Sequence, residues 1–282
     1  MRKLRIAAIS FLNTAPLMWN FEHTELGHEF DIVSTVPAEC ADMLRAGAAD
    51  IGIVPVVAYS TIPDLRVIPH VAIATKGSVR SILLVSKVPL EEVRTVAADA
   101  SSRTSVVLAR VLFRKWLGGG RQFTSMPPQL DAMLQACDAA LLIGDPALKV
   151  DRSRYICYDL AEEWKRLTGL PFVFAFWAVR ASALAETDLD LARIFQESRD
   201  RGLSNVDTLA REWAPRVGIS ETAVRTYLTE NIDYSLDEEN LAGLTLFFKH
   251  AVDCGLLPAV KPLEFVGATV AVDDTSDRRI SS

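Results

Sequence analysis

The chain has few of the residues that build metal and redox sites. Its 282 residues include four cysteines and four histidines. The cysteines lie far apart, with no CxxC pair and no histidine at metal-ligand spacing. We therefore expect buried, reduced thiols, no metal and no organic cofactor. The GxGxxG, P-loop, HExxH and GxSxG motifs are missing too, which argues against the enzyme classes that depend on them.

Positive charge and long apolar runs are equally scarce. The formal net charge is −6, so no broad basic field attracts nucleic acid or anionic lipid. No run reaches the roughly 20 apolar residues that a membrane helix needs, and we predict no membrane association. The start MRKLRIAAISFL is basic and apolar like a signal peptide, but Arg5 interrupts it and no small-residue cleavage site follows. We interpret it as the first buried strand of a cytoplasmic protein.

The sequence does contain a regular alternation of short apolar runs and helical patterns, up to about residue 180. This alternation predicts a mostly parallel sheet covered by helices on both faces. From about Ser182 the apolar spacing is helical only. The segments with this spacing are 188–201, 205–213, 221–230 and 237–254.

The α/β pattern restarts after VRSILLVS, and no long linker separates the two sets. Crossings near 76–86 and 172–180 predict a hinged, two-lobed α/β molecule with a type 2 periplasmic-binding-protein-like fold and a helical C-terminal region. The expected lobes are 1–80 with 176–270, and 81–175, followed by a tail at 271–282. A ligand would lie in the cleft between the lobes.

Polar residues directly after strands are the candidates for ligand binding, because ligands of open α/β sheets bind beyond the carboxyl ends of the strands. In SFLNTAPL, Asn13 and Thr14 precede Pro16, which suits a first helical position. Either residue could cap the helix, but one cap is enough, and asparagine offers a ligand both a donor and an acceptor. The pattern supports capping and ligand binding equally.

A second candidate is the run SSRTS at the start of an apolar helix, with hydroxyls at Ser101, Ser102, Thr104 and Ser105. The N–H groups and dipole of a helix start favour an anion. We therefore favour a carboxylate-binding site over a cap with solvated hydroxyls.

Three further places leave the interpretation open. Ser78 and Ser81, in the crossing KGSVRSILLVS, can bond to the backbone or project into the cleft. Asp145 precedes Pro146 in the pattern of a helix N-cap, and we favour capping over catalysis there. Trp177, opposite the neighbouring phenylalanines on its strand, could line the cleft.

Several segments together resemble the chorismate dehydratase family of menaquinone biosynthesis. They follow in the family's order over about residues 4–180, whereas the C-terminal third matches in general character only. Phe11 stands where tyrosine is common in the family. The segments are SFLNTAPL, DIGIVPVVAY, SVRSILLVSKVPL, the SSRTS run, ALLIGDPAL and DLAEEWKRLTGLPFVFAFWA.

The resemblance implies a binding-protein fold that serves as a lyase. Chorismate would be the substrate and 3-[(1-carboxyvinyl)oxy]benzoate the product, in the futalosine route. The family's active-site asparagine corresponds to Asn13, and its cleft serine to Ser81 rather than Ser78. Its hydroxyl pair corresponds to Thr104 and Ser105. The expected substrate-binding residues are Thr14, Ser78, Ser102, Thr104, Ser105 and Asp145.

The motifs contain no obvious base apart from Asp145. We therefore hypothesise that the substrate's own enolpyruvyl carboxylate takes the proton, with Arg80 or Arg103 assisting recognition.

Two alternatives remain. A 1,4-dihydroxy-6-naphthoate synthase of the same pathway would need a base such as histidine in the cleft, and no histidine here follows a predicted strand convincingly. A non-catalytic small-anion-binding protein would be expected to carry a signal peptide or lipobox-like cysteine. The sequence leaves a homodimer open.

Overall fold

The computed structural model describes residues 2–259 and 261–270, so the predicted tail at 271–282 lies outside the described residues. The strands divide into two sheets, each flanked by helices. The strands are β1 (Leu4–Ile9), β2 (Phe30–Thr35), β3 (Ile51–Pro55), β4 (Leu65–Thr75), β5 (Ile82–Ser86), β6 (Thr95–Asp99), β7 (Gln122–Met126), β8 (Ala139–Ile143), β9 (Ile156–Asp159), β10 (Phe172–Arg180), β11 (Leu263–Phe265) and β12 (Ala268–Val270).

The helices begin and end where local chemistry predicts in several cases. Asp159 caps one helix by accepting from the N–H groups of Ala161 and Glu162, and Gly169 ends it in the left-handed conformation. The α-helices are α1 (Trp19–His23), α2 (Pro37–Ala46), α3 (Val56–Tyr59), α4 (Thr104–Trp116), α5 (Leu130–Ala136), α6 (Gly144–Leu148), α7 (Leu160–Thr168), α8 (Ala181–Leu184), α9 (Leu191–Ser204), α10 (Val206–Val217), α11 (Glu221–Thr226) and α12 (Glu238–Asp253).

Shorter helical segments complete the elements. Three are 3-10 helices, at Leu12–Met18, Glu25–Glu29 and Leu90–Glu92. The segment Tyr227–Asn231 is a π-helix that continues α11. We call the first of these, Leu12–Met18, the Leu12 helix.

The two sheets define two lobes. The larger sheet has the order β12-β11-β4-β10-β3-β1-β2, and the smaller has the order β7-β6-β8-β5-β9. The chain leaves the larger sheet after β4 and returns to it with β10. The predicted boundary at residue 81 adjoins β5, whereas the boundary at 175 falls inside β10, which belongs to the larger sheet along its whole length.

Both sheets are mixed, so the expectation of a mostly parallel sheet was wrong. β1 pairs in parallel with β2 and β3, but β10 runs antiparallel to β3 and β4. In the smaller sheet β5 runs antiparallel to β8 and β9. β5 and β10 lie in the two crossings between the lobes. Their direction could not be predicted, because an apolar run does not indicate whether a strand is parallel or antiparallel to its neighbours.

The C-terminal helices support the first segment of the larger lobe. The Ser198 hydroxyl in α9 donates to the Leu17 carbonyl and accepts from the Asn20 N–H. A Cβ at Gly202 would lie 2.1 Å from the Pro16 carbonyl oxygen, so glycine is required where α9 crosses the Leu12 helix. These contacts fix the helix that contributes one wall of the cleft.

Candidate functional site

A cavity of about 50 Å³ lies between the lobes, where β1, β3 and β8 end. Both lobes contribute to its wall. Its lining residues are Ile9, Phe11, Asn13, Pro37, Pro55, Ile73, Ile82, Ser102, Arg103, Thr104, Ser105, Ile143, Gly144, Phe174 and Ala175.

Asn13 supplies the polar group from the larger lobe. It lies in the first turn of the Leu12 helix, and its side-chain oxygen is buried with no hydrogen-bond partner among residues 2–259 and 261–270. Leaving a buried acceptor unsatisfied costs roughly 1–3 kcal/mol. The Asn13 amide is therefore arranged to receive a hydrogen bond from a ligand that enters the cavity.

The start of α4 supplies the polar groups from the smaller lobe. No side chain caps this helix of 13 residues. Ser102 has a buried hydroxyl without a partner in the part of the chain that the structure describes, and Ser105 lines the cavity. Thr104 also lines it, and its hydroxyl donates to the Phe174 carbonyl at 3.1 Å. Uncapped N–H groups, the helix dipole and hydroxyls together form an anion site.

Thr14 does not line the cavity, contrary to its predicted role in binding. Its buried hydroxyl donates to the carbonyls of Ile9 and Phe11, at 2.5 and 2.7 Å, and so holds the turn after β1. It is not a helix cap either. The Leu12 helix begins before it, and Pro16 lies in the helix interior rather than at its first position.

Asp145 does not cap its own helix, which corrects the interpretation that we favoured. Its carboxylate accepts from the backbone N–H of Leu12 at 2.9 Å, across the cleft, while α6 has no side-chain cap. Burial raises the pKa of this carboxyl, and the Leu12 N–H partly opposes that effect. Asp145 joins the two lobes behind the cavity wall.

Ser81 is fully buried beside the cavity and does not line it. Its carbonyl accepts from the N–H of Gly144, which does line it. Its hydroxyl oxygen accepts from the phenol of Tyr227 at 2.7 Å. Because the Ser81 oxygen accepts the proton of Tyr227, the Ser81 hydroxyl points its own proton away from Tyr227 and can donate it to another group.

Tyr227 is a residue that sequence reasoning missed. It begins the π-helix, a local geometry that occurs frequently at functional sites. Burial raises its pKa well above the usual range, so the phenol stays neutral and donates. It lies 146 positions from Ser81, and no local spacing could have connected the two.

Ser78 lies outside the cavity lining, so the structure does not bring it to the other candidates. Its hydroxyl donates to Asp159 at 2.7 Å, and that carboxylate also caps α7. Trp177 is fully buried against Phe195 and does not line the cavity. Phe174, one of the neighbouring phenylalanines, lines it instead.

Of the two arginines expected to assist, only Arg103 lines the cavity. It also forms an ion pair across the lobes with Asp42, at 3.5 Å. Arg80 has its backbone N–H bound to Asp159 and its carbonyl bound to Arg152, outside the lining.

The lining offers hydrogen-bond donors, one cation and apolar walls. It contains no carboxylate, histidine, lysine, tyrosine or cysteine side chain from the described residues. The arrangement can bind an anion and stabilise a leaving oxygen, but it provides no side-chain base. Within the same ranges no cluster of histidine, cysteine, aspartate and glutamate could hold a metal ion.

The cavity is small compared with ligand pockets in general, which enclose roughly 300–1,000 Å³. Asp145, Arg103 and the contact between Phe11 and Gly144 all hold the lobes together. A ligand of metabolite size needs more space than this arrangement of the lobes leaves.

A family model described as menaquinone biosynthesis matches residues 4–253. The chain belongs to the menaquinone biosynthesis family. This member of the family is similar to the chorismate dehydratase of Thermus thermophilus, with 29% identity over 265 residues, 88% of this chain and 94% of the relative. The resemblance inferred from the sequence segments is confirmed.

Solved structures support the fold of this family member. A protein from Archaeoglobus fulgidus superposes with a TM-score of 0.72 at 19% identity, over 90% of this chain and 98% of that one. The periplasmic aliphatic sulphonate binding protein of Escherichia coli gives a TM-score of 0.62 at 16% identity, over 99% of both chains. At such identities the likeness shows the fold alone, and it confirms the predicted periplasmic-binding-protein-like architecture. None of the helices in the described ranges combines the length and apolarity of a membrane span.

Proposed function

We propose that this protein is a cytoplasmic chorismate dehydratase, a lyase that converts chorismate to 3-[(1-carboxyvinyl)oxy]benzoate on the route to menaquinone. Family membership and the similarity to the Thermus thermophilus enzyme support this substrate. The observation that carries the proposal is the pairing of two polar features across one cavity. The unpartnered oxygen of Asn13 faces the uncapped start of α4 with its unpartnered Ser102 hydroxyl.

Chorismate carries two carboxylates, and the cleft offers positive potential in an otherwise acidic chain. The start of α4, with Ser102 and Ser105, receives one carboxylate through backbone N–H groups and hydroxyls. Arg103, at the rim, lies in position to attract the second. The apolar walls accommodate the ring.

The reaction removes a ring proton and the hydroxyl of the neighbouring carbon. The electron pair of the C–H bond becomes part of the aromatic ring as the C–O bond breaks. The carboxyl group that took the ring proton gives it up to the departing hydroxide, so that the oxygen leaves as water and the carboxylate is restored. The Asn13 amide donates to the departing oxygen while its carbonyl oxygen orients the substrate. The Ser81 proton, directed by Tyr227, completes the donor set once the lobes close on the substrate.

The substrate's enolpyruvyl carboxylate is the proton acceptor in this scheme. The described lining residues contain no side-chain base, which supports this assignment. Asp145, the nearest acidic candidate, has its carboxylate bound to the Leu12 N–H. A positioned general base contributes roughly 10²–10⁴-fold to a rate, and holding the substrate carboxylate against the ring supplies an effect of that size.

Incubation of the purified protein with chorismate, followed by mass spectrometry, tests the proposal. We expect loss of one water to give the aromatic product, at a rate lower by about 10²–10³-fold with Asn13→Leu. Unchanged chorismate that nevertheless raises the melting temperature would instead indicate a binding protein without catalysis. Unchanged chorismate without such a shift would remove chorismate as the ligand altogether.

A second variant tests the base. Asp145→Asn should retain turnover, because the side chain keeps its acceptor for Leu12 and is not the base. If Asp145→Asn abolished turnover while folding and chorismate binding persisted, the substrate-carboxylate mechanism would be wrong.

A further inference from the structure

A second polar cavity, of about 180 Å³, lies at the opposite end of α4 from the cleft. Its wall consists of three arginines, two phenylalanines and a glycine turn. Arg114 follows Thr104 by ten residues along α4, a distance of about 15 Å along the helix axis. The cavity is therefore separate from the proposed active site.

The arginines and phenylalanines form an ordered stack. The Arg110 guanidinium lies over the Phe123 ring, 4.8 Å from its centre, and that of Arg121 lies over Phe113 at 5.0 Å. The two rings meet edge to face at 6.2 Å. Stacking on aromatic faces holds guanidinium planes in a fixed orientation without neutralising them.

The charges of these arginines have no carboxylate partner among the described residues. Arg121 donates to the carbonyls of Val93, Leu117, Gly119 and Glu91, and Arg114 donates to the Cys254 carbonyl. All of these acceptors are neutral backbone groups.

Arg110 differs from the other two arginines. Its Nε is buried and has no hydrogen-bond partner in the described part of the chain. A buried, charged donor without an acceptor is strongly disfavoured. An acceptor supplied by a ligand would satisfy it.

The surrounding charges favour an anion. Burial lowers the pKa of Arg121, the nearby Arg94 lowers it further, and Glu91 opposes this effect in part. A bound anion would offset both the burial of this charge and the repulsion from Arg94.

The turn that borders the cavity keeps the backbone open. Gly118, Gly119 and Gly120 have φ values of +76°, +66° and +73°, a region that L side chains rarely adopt. A Cβ at Gly118 or Gly120 would meet nothing within 4 Å, so glycine is needed there for conformation rather than for space. No side chain from these positions screens the guanidiniums.

We propose that this cavity is a second ligand site, one that binds the phosphate group of a small phosphorylated molecule through Arg110, Arg114 and Arg121. A tetrahedral phosphate presents oxygens in several directions, which suits guanidiniums that approach from different elements. A planar carboxylate has only two oxygens to share among the N–H groups that the three arginines do not already donate to backbone carbonyls. The volume exceeds that of a single phosphate ion, so a phosphate monoester fits better than free phosphate.

Titration calorimetry at constant ionic strength tests the site, with inorganic phosphate and glycerol 3-phosphate as probes. We expect saturable binding of the monoester, and a loss of affinity of about tenfold or more in Arg110→Gln. Arg110→Lys keeps the positive charge but not the planar guanidinium, so its affinity for the monoester should lie between those of the wild type and Arg110→Gln. Both variants should keep the wild-type kcat/KM for chorismate, because Arg110 does not touch the cleft.

Arg154→Gln is the matched control, because Arg154 also stacks on a ring of the same lobe, Tyr155 at 5.8 Å, without lining this cavity. It should bind both probes like the wild type. The proposal is overturned if Arg110→Gln binds the probes unchanged, or if Ser105→Ala loses the binding instead, since the anion would then occupy the cleft. If Arg110→Gln fails to fold, Arg110→Lys takes its place, and unchanged affinity of Arg110→Lys for the probes overturns the proposal. Tighter binding of inorganic phosphate than of the monoester would overturn the assignment of the ligand class.

Discussion

Two helices begin at the cleft, one from each lobe, and their first turns are satisfied in opposite ways. The Leu12 helix has its first N–H bound by Asp145, which reaches across from the other lobe. α4 begins with no side-chain cap, although hydroxyl residues surround its start. One helix start is therefore used to join the lobes, and the other is left open to a ligand.

The difference shows how a capping pattern and a binding site can be distinguished. Residues with good capping chemistry stand at both starts, yet none of them caps its own helix. Asn13 is free to face the cavity because Asp145 satisfies the helix in its place. Thr14, next to it, is occupied by backbone carbonyls. Accounting for each backbone N–H separates the ligand-facing polar groups from the structural ones.

The largest effect should come from removing the polar group at the joined helix start. Asn13→Leu deletes the amide but keeps nearly the same volume, so we expect kcat/KM for chorismate to fall by about 10²–10³-fold, as for other lost oxyanion donors. The fold should persist, since an unsatisfied buried oxygen is removed as well. Steady-state kinetics and thermal unfolding measure the two effects.

Thr14→Val is the matched control for that variant. It removes the hydroxyl that binds Ile9 and Phe11, and should lower the free energy of unfolding by about 1 kcal/mol while kcat is maintained. Equal losses of kcat in the two variants would mean that the helix start acts only through its structure.

The second largest effect on kcat should come from Tyr227, the residue that binds the Ser81 hydroxyl. Tyr227→Phe removes the donor to the Ser81 oxygen and frees the Ser81 proton to turn away, so we expect kcat to fall about tenfold with KM little changed. Tyr234→Phe is the control, because the Tyr234 hydroxyl is buried without a partner and its loss should be neutral or stabilising. If both variants lowered kcat alike, Tyr227 would have no positioning role.

A smaller effect should come from the open helix start. Ser105→Ala removes one hydroxyl from the proposed carboxylate site, and we expect KM for chorismate to rise roughly fivefold while kcat stays near the wild-type value. Ser78→Ala, whose hydroxyl binds Asp159 outside the cavity, should lower stability and leave KM unchanged. A KM shift in Ser78→Ala alone would reverse the assignment of the two serines.

The sequence predicted the features that depend on local pattern and on topology. The helical segments after residue 182 and the alternation before it correspond to α9–α12 and to most strands. Asn13 follows β1 of the larger sheet, whereas Ser102 and Ser105 follow β6 of the smaller sheet, and they meet because the carboxyl ends of both strands face the cleft. These positions could be inferred without knowing any distance.

The features that the sequence did not predict depend on contacts between distant residues. β4 has no regular strand pattern in the sequence, because Pro69 interrupts it and His70, with φ at +63°, lies where its pairing with β10 is broken. The partner of Asp145 lies 133 positions away, so the local pattern indicated a cap that the fold does not use. No feature of the sequence around Leu12 indicates that its N–H donates to the Asp145 carboxylate.

The joint between the lobes should also be sensitive to pH. Burial raises the pKa of Asp145 in the folded protein above its unfolded value, which is about 3.9. The folded state then binds more protons than the unfolded state as the pH rises from about 4 through the raised pKa, so this group makes stability fall over that window. Asparagine cannot ionise, yet it still accepts from Leu12. Asp145→Asn should therefore gain stability relative to the wild type as the pH rises from about 4 through the raised pKa, measured by urea unfolding.

Asp138→Asn gives the opposite sign and serves as the control. The N–H groups of Thr95 and Arg94 lower the pKa of Asp138, so its contribution is present above its unfolded pKa and is lost as the pH falls. The loss in free energy of unfolding caused by Asp138→Asn should therefore be greatest near neutral pH. If Asp145→Asn instead followed the pH dependence of the wild type, the carboxylate would be solvated. The Leu12 N–H would then lack this partner, and both helix starts at the cleft would be open to a ligand.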